Sequence, residues 1–371
     1  MNTTTTTAPI VTPTALPETQ ALRRILEAGI RAPSAENRHF LRFEPVLDGM
    51  RIVSTDTPTW DRQPHRRMLA LVSLGAVVEN MSLVSSASGH ALAVRWFPDP
   101  ARSEWMAELR WSPQAARAEL LADAIPDRHT NRRFYRRDPV DAATLQELAA
   151  ATAVVPGAGL LWLDDPARRG WALKALRLAE TERFRRESLH HELFSAVRFE
   201  LGWRQSAPEG LPPGALEVEP PMRPLFAALR RWPLMNVLSR LGMHRTLGLR
   251  AADLPCRLAP HLGLIMCDAP REPMRALGAG RALQRAWLAA TRHGLAFQPM
   301  AAATVLARQR PGDGWVAPPV REELLRLLQH VTGGRSDAAF MFFRLGHAKP
   351  PTVVTERLPL DHYLSASPAH A

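Results

Sequence analysis

The chain has 371 residues, enough for two to three domains and a large core, and its 46% hydrophobic content excludes wholesale disorder. No apolar run reaches the roughly 18 residues of a membrane span. The net charge of +11 invites nucleic acid, but the basic residues are nearly all Arg, with only Lys174 and Lys349, and they lie scattered without interleaved aromatics. Neither nucleic acid nor a membrane is expected as a partner.

Met1 to Gln20 is rich in Thr and Pro and lacks the basic region and apolar core of a secretory signal. Residues 1–20 are expected to be a disordered tail, and the protein cytoplasmic. Leu22, Ile25, Leu26 and Ile30 recur at helical spacing, and Pro33 stops that helix. Leu41 to Val46 and Met50 to Val53 suggest short strands. Leu69 to Ser88 predicts a long helix capped by Gly89. Ala91 to Phe97 alternates as a strand does, closed by Pro98-Asp99-Pro100.

Ala116 to Ala124 predicts a helix. Asp141 is an N-cap for another helix running to about Thr152. Leu160 to Leu163 suggests a strand, and Ala167 to about Gly202 a long charged helical stretch. Residues 203–260 are broken by prolines, seven of them between Pro208 and Pro233, yet stay too apolar for a linker, so they are expected to form an inserted lid. Leu262 to Met266 reads as a buried strand, Gly280 to Gly294 as a helix, and Ala296 to Met300 as extended. Arg321 to His330 predicts a helix and Ala338 to Leu345 a final strand. Cys256 and Cys267 are too few for a disulfide framework or a zinc cluster.

A repeat is visible. Shifted by 123 residues, Leu22–Ala28 falls on Leu145–Ala151 and Pro33 on Pro156. Shifted by 205, Gly75 to Gly89 falls on Gly280 to Gly294. The surplus of 82 residues falls where the inserted segment lies, as a duplication followed by one insertion would give.

Two half-motifs carry the chemistry, one in each half. Ala32-Pro33-Ser34-Ala35-Glu36-Asn37 offers a hydroxyl and an amide on a turn, suited to the polar edge of a planar ligand. Arg128-His129-Thr130-Asn131-Arg132-Arg133-Phe134 offers guanidinium forks and a hydroxyl, suited to a phosphate. Arg344 and Arg357, far off in sequence, are candidates to complete that cluster. His190-His191-Glu192 lacks the spacing of a zinc motif, and Leu283 stands where a dinucleotide fingerprint needs Gly.

On these residues the chain resembles the FMN-dependent nitroreductase family. The family's basic segment, of the type Arg-His/Arg-Ser-x-Arg/Lys-x-Phe, is matched by Arg128 to Phe134 with Thr130 for Ser. Its Ala-Pro-Ser-x-x-Asn turn is matched by Ala32 to Asn37, although Arg38-His39-Phe40-Leu41 departs from the Gln-Pro-Trp that usually follows. Its late helix and Gly-Leu turn look like Gly280 through Leu295, and its ending like Phe343 to His347 with Glu356-Arg357. The resemblance implies an α+β, nitroreductase-like fold made of two fused half-domains, each a mixed or antiparallel sheet flanked by helices. The first half would span residues 21–115 and the second 116–360, followed by a tail at 361–371.

The family's sites form between two identical chains. One chain supplies the basic segment and the other the Pro-Ser turn, so this chain resembles a monomeric pseudo-dimer with one surviving site. A subgroup with that layout and a lid is associated with bacterial dormancy, and some of its members lack clear reductase activity. The resemblance implies an FMN cofactor held by Pro33, Ser34, Asn37, Arg128, His129, Thr130, Arg132, Gln298, Pro299, Met300, Arg344 and Arg357. NADH or NADPH would be the electron donor, and nitro or quinone compounds the acceptors. The cofactor carries the redox chemistry, so no catalytic side chain and no metal is expected. Trp232, Met235 and Met300 could cover the flavin ring, with core packing the simpler role. The alternative is a protein that sequesters flavin with little or no turnover.

Overall fold

The computed structural model describes residues 16–365, with 62, 311 and 313 excepted. Much of the tail expected at 1–20 lies outside the described residues, and the first helix already begins at Thr19. In chain order come α1 (Thr19–Ile30), β1 (Leu41–Val46), β2 (Gly49–Ser54), α2 (Pro64–Ala87), β3 (His90–Trp96), β4 (Trp105–Pro113) and α3 (Leu120–Asp123). Then follow α4 (Ala142–Ala153), β5 (Ala158–Trp162), α5 (Pro166–Arg185), α6 (Glu187–Ser195), α7 (Arg223–Leu229), α8 (Trp232–Arg240), α9 (Met243–Gly248) and α10 (Leu254–Leu258). The chain ends with β6 (His261–Cys267), α11 (Glu272–Arg292), β7 (Ala296–Met300), α12 (Ala302–Ala307), α13 (Pro318–Thr332) and β8 (Ala339–Gly346).

The class is α+β. Two four-stranded antiparallel sheets have the orders β1-β2-β4-β3 and β5-β6-β8-β7, the same path in each half. The 123-residue shift carries α1 onto α4 end for end, and the 205-residue shift carries α2 onto α11. Asp141 caps α4 as expected, its carboxylate accepting from the Thr144 amide at 2.8 Å. Gly89 and Gly294 both follow their helices at positive φ, 77° and 64°, which glycine adopts without a Cβ penalty.

The halves differ in what is inserted. A two-residue hairpin joins β1 to β2, whereas residues 163–260 lie between β5 and β6. A second extra segment, holding α12 and α13, lies between β7 and β8. The lid expected at 203–260 is therefore part of a longer excursion that begins with α5. The helical stretch expected at 167–202 is broken at Arg186, whose backbone is extended.

α5, α12 and α13 cover the outer face of the second sheet. That explains the strands' composition. β6 and β8 are apolar runs buried along their whole length, while β1 alternates buried and exposed. β4, where the sequence reading assigns no element, is central in the first sheet. Residues 361–365, expected in a tail, instead pack on β1: Leu364 pairs with Phe43, and the Ser365 amide donates to the Phe43 carbonyl.

α2 and α11 cross at the centre of one core shared by both halves. α2 is long and apolar enough to span a membrane by composition, but 78% of its most apolar window is buried in this core. A Cβ on Gly75 would meet the Leu277 carbonyl oxygen at 2.0 Å, and one on Gly280 would meet the Val72 oxygen at 1.9 Å. These two contacts are exchanged by the 205-residue shift. So are two side-chain pairs, Glu79 with Arg285 at 2.6 Å and Gln284 with Asn80 at 2.7 Å. The crossing is thus a local two-fold.

Gly280→Ala should lower stability by about 1–3 kcal/mol in urea unfolding, because backbone must move to admit the methyl. Gly170→Ala, on open α5 surface with nothing within 4 Å, should be neutral or stabilising by up to about 1 kcal/mol. Equal effects at the two positions would contradict this view of the crossing.

Candidate functional site

α1 ends where the first half-motif begins, and its last carbonyls are unusually well claimed. Arg357 donates from Nε to the Ile30 oxygen at 2.9 Å and from Nη2 to the Ala32 oxygen at 2.6 Å. Arg128 donates to the Arg31 oxygen at 3.0 Å. Cations at a helix C-terminus also meet the negative end of its dipole. His39 reaches the Ile30 and Ala32 oxygens through Nε2 at 3.0 and 3.1 Å, and Ser73 of α2 donates to the Pro33 oxygen at 2.7 Å. The turn beyond is strained: Glu36 and Asn37 sit at φ 55° and 59°. Asn37 steadies it by donating to the Ala207 and Glu356 carbonyls at 3.4 and 3.3 Å.

The basic half-motif is anchored by Asn131. Its amide N–H donates to the Phe297 carbonyl at 3.0 Å and its side chain to the Lys349 carbonyl at 2.9 Å. Arg128 and Arg132 flank this clamp. Arg128 lies over the Trp287 ring of α11, 4.4 Å from its centroid. Arg132 donates to the Ala215 carbonyl in the 163–260 segment at 3.1 Å.

One cavity of about 1250 Å³ joins the two half-motifs. Pro33, Ser34, Asn37, Arg128, His129, Thr130, Arg132, Gln298, Pro299, Met300 and Arg357 all line it. Arg344 does not. It is fully buried behind Gln298, donating from Nε to the Gln298 Oε1 at 2.7 Å and stacking over Tyr135 at 4.0 Å. It stands opposite Gln298 in the β7–β8 ladder, so the two side chains share a face of the sheet, and its guanidinium meets Gln298 rather than the cavity lining. Trp232 and Met235 pack in a separate apolar cluster rather than on the cavity.

The site is cationic and partly unsatisfied. Burial, then Arg357 and Arg31, lower Arg128 to about 9; burial, then Arg344, lowers Arg132 to about 10; burial lowers Arg357 to about 10. Guanidinium groups so depressed are held against desolvation and one another, and an anion among them would relieve both. The Ser34 hydroxyl and the Arg128 Nε are buried and lack a hydrogen-bond partner. A phosphate oxygen or a ring carbonyl or nitrogen could accept from them, so a flavin nucleotide suits the donors present.

Other lining groups were not among the expected contacts. Trp287 is one. Another is a polar wall in which His65 Nε2 meets Glu192 Oε1 at 2.7 Å, beside Glu36, Glu180 and Arg183. Burial, then Glu192, raises Glu36; burial opposes but the His65 hydrogen bond helps to hold Glu192 down. Arg183 belongs to a basic cluster that in sequence looks like chance, and Glu192 pairs with a histidine 127 residues away.

No family model matches the chain. An uncharacterized protein of Mycobacterium tuberculosis is 29% identical over 234 residues, 62% of this chain and 32% of that relative; the chain thus spans about a third of the relative's length. Nitroreductase A from Vibrio parahaemolyticus is similar at 12% identity and TM-score 0.35, over 66% of this chain and 75% of its own. A nitroreductase with bound FMN from Bacteroides fragilis is similar at 14% identity and TM-score 0.35, over 65% and 95%. An FMN-dependent nitroreductase from Mycobacterium smegmatis, in complex with NADPH, is similar at 18% identity and TM-score 0.31, over 62% and 88%.

His39 offers a test of how the turn is held. Burial, then Arg357, lowers it from 6.5 to about 3, so the folded state keeps it neutral. Its contribution is complete above 6.5 and is lost as pH falls from there toward 3, by up to about 1.4 kcal/mol per pH unit. Urea unfolding between roughly pH 7 and 5 should show a shallower decline for His39→Gln than for the wild type. An unchanged decline would contradict a buried neutral imidazole.

Proposed function

We propose that the cavity holds one flavin mononucleotide and that the chain is a nitroreductase-like flavoprotein oxidoreductase. The observation that carries this reading is the junction of the half-motifs in one cavity, with the Ser34 hydroxyl and Arg128 Nε left as buried donors. Arg128, Arg357 and Arg132 would take the phosphate, aided by Thr130 and His129. Ser34, with Gln298, would meet the polar edge of the ring, and Met300 its apolar face. Gln298 has its amide oxygen occupied by Arg344, so it offers its NH₂ to the cavity. Bound flavin would supply two-electron transfer from NADH or NADPH to nitro or quinone acceptors.

We further read the chain as a fused pseudo-dimer produced by duplication, of the dormancy-associated kind, working as a cytoplasmic monomer. The repeated strand order and the two-fold crossing of α2 and α11 support that reading. A single site follows from it, because Gly157 and Leu160 stand where the second turn would need Ser34 and Asn37.

Flavin sequestration is the second reading. It is favoured by the bonds that tie the 163–260 segment across the cavity, Arg132 to the Ala215 carbonyl and Asn37 to the Ala207 carbonyl.

The purified protein should be yellow, and heat should release FMN. Arg128→Ala with Arg132→Ala should keep the fold and weaken FMN binding by about 1.5–3 kcal/mol per lost contact in a fluorescence titration. Full flavin occupancy in that variant would refute the phosphate assignment. Anaerobic NADPH should bleach the colour and a nitroaromatic restore it; colour that persists under both nicotinamides would leave the sequestering reading.

A further inference from the structure

The segment over the cavity has a second apolar face, on its outside. Residues 220–252 contain six arginines and no Lys, Asp or Glu. Within them α8 is already satisfied on its inner side: Met235 is fully buried, and Trp232 and Leu238 pack beside it on Phe184, Phe194 and Leu229. Yet Leu234, Val237 and Leu241 are 36%, 56% and 82% exposed. Their spacing of three and four residues puts them on one stripe. Arg230, Arg231 and Arg240 border it, are exposed, and form no ion pair among the described residues.

We propose that α8 and these arginines dock on the surface of an anionic lipid bilayer. An apolar stripe rimmed by one sign of charge matches the acyl boundary beneath acidic headgroups. A second copy of the chain would set the same cations against each other, and nucleic acid would leave the stripe unused. The contact is with the surface and not a span, so it departs from the expectation that no membrane is a partner, which rested only on the lack of a spanning apolar run. α7 and α9, which flank α8, supply Phe226, Leu229 and Leu247 to the cavity wall. Docking therefore puts the roof of the cavity against the bilayer, whatever ligand the cavity holds.

The test is co-sedimentation of the full chain with phosphatidylcholine vesicles, with and without one quarter phosphatidylglycerol. Binding should need the anionic lipid and weaken as salt is raised from roughly 0.1 to 0.5 M. Replacing Arg230, Arg231 and Arg240 with Gln should lower partitioning about fivefold per residue. Leu234→Ser with Val237→Ser and Leu241→Ser should abolish it without lowering the thermal midpoint. Gln at Arg24, Arg137 and Arg168, exposed elsewhere, should change little. Equal binding to neutral vesicles, no binding, or equal loss in that control set would overturn the proposal. So would wild-type protein that dimerises in light scattering while the serine variant is monomeric.

Discussion

The close crossing of α2 and α11 sets the distance on which the rest of the molecule depends. Backbone touches backbone at Gly75 and Gly280, and a buried ion pair locks the crossing: Glu79, 1% exposed, holds both Arg281 and Arg285. Removing one partner of such a pair is costly, about 3–5 kcal/mol, because a charge is left buried alone. Both helices also carry site residues on the flank facing the cavity. Ser73 of α2 fixes the Pro33 carbonyl, and Trp287 of α11 carries the Arg128 guanidinium. A wider crossing would pull the hydroxyl-bearing turn away from the cationic segment.

Symmetry at the crossing is joined to asymmetry around it. The first sheet keeps an open outer face, while the second is covered by α5, α12 and α13. The same excursion that supplies α5 also brings a large share of the cavity's apolar wall, from Phe184 to Ala251. Charge follows the same division. The guanidinium groups of Arg128, Arg132 and Arg357 gather at the seam, and His39 stays neutral beside them. An added anion there would be stabilising, and an added cation would not.

Much of this was legible in the residues. Periodicity located α1, the β1–β2 hairpin and β6, and Asp141 marked the start of α4 through the chemistry of its side chain. Eleven of the twelve expected cofactor contacts line one cavity, because motif order reflects which segments must meet. Arg344 is the exception. Its neighbours Phe340, Met341, Phe342, Phe343 and Leu345 form a run buried on both faces, which was itself a sign that the guanidinium sits inside the sheet. β4 carries the same alternation as β3, with Ala107, Leu109 and Trp111 on one face and Glu108 and Arg110 on the other, so its signal was present in the residues and went unused. The break at Arg186 involves neither Gly nor Pro, and the pairing of His65 with Glu192 is purely tertiary.

The central claim is a single flavin nucleotide shared by the two halves, and a crystal structure of the FMN-loaded protein tests it most directly. The account predicts one FMN per chain, its phosphate within hydrogen-bond distance of Arg128 and Arg357 and its ring beside Ser34 and Gln298. A phosphate bound away from those arginines, or a second flavin at the Pro156-Gly157 turn, would contradict it.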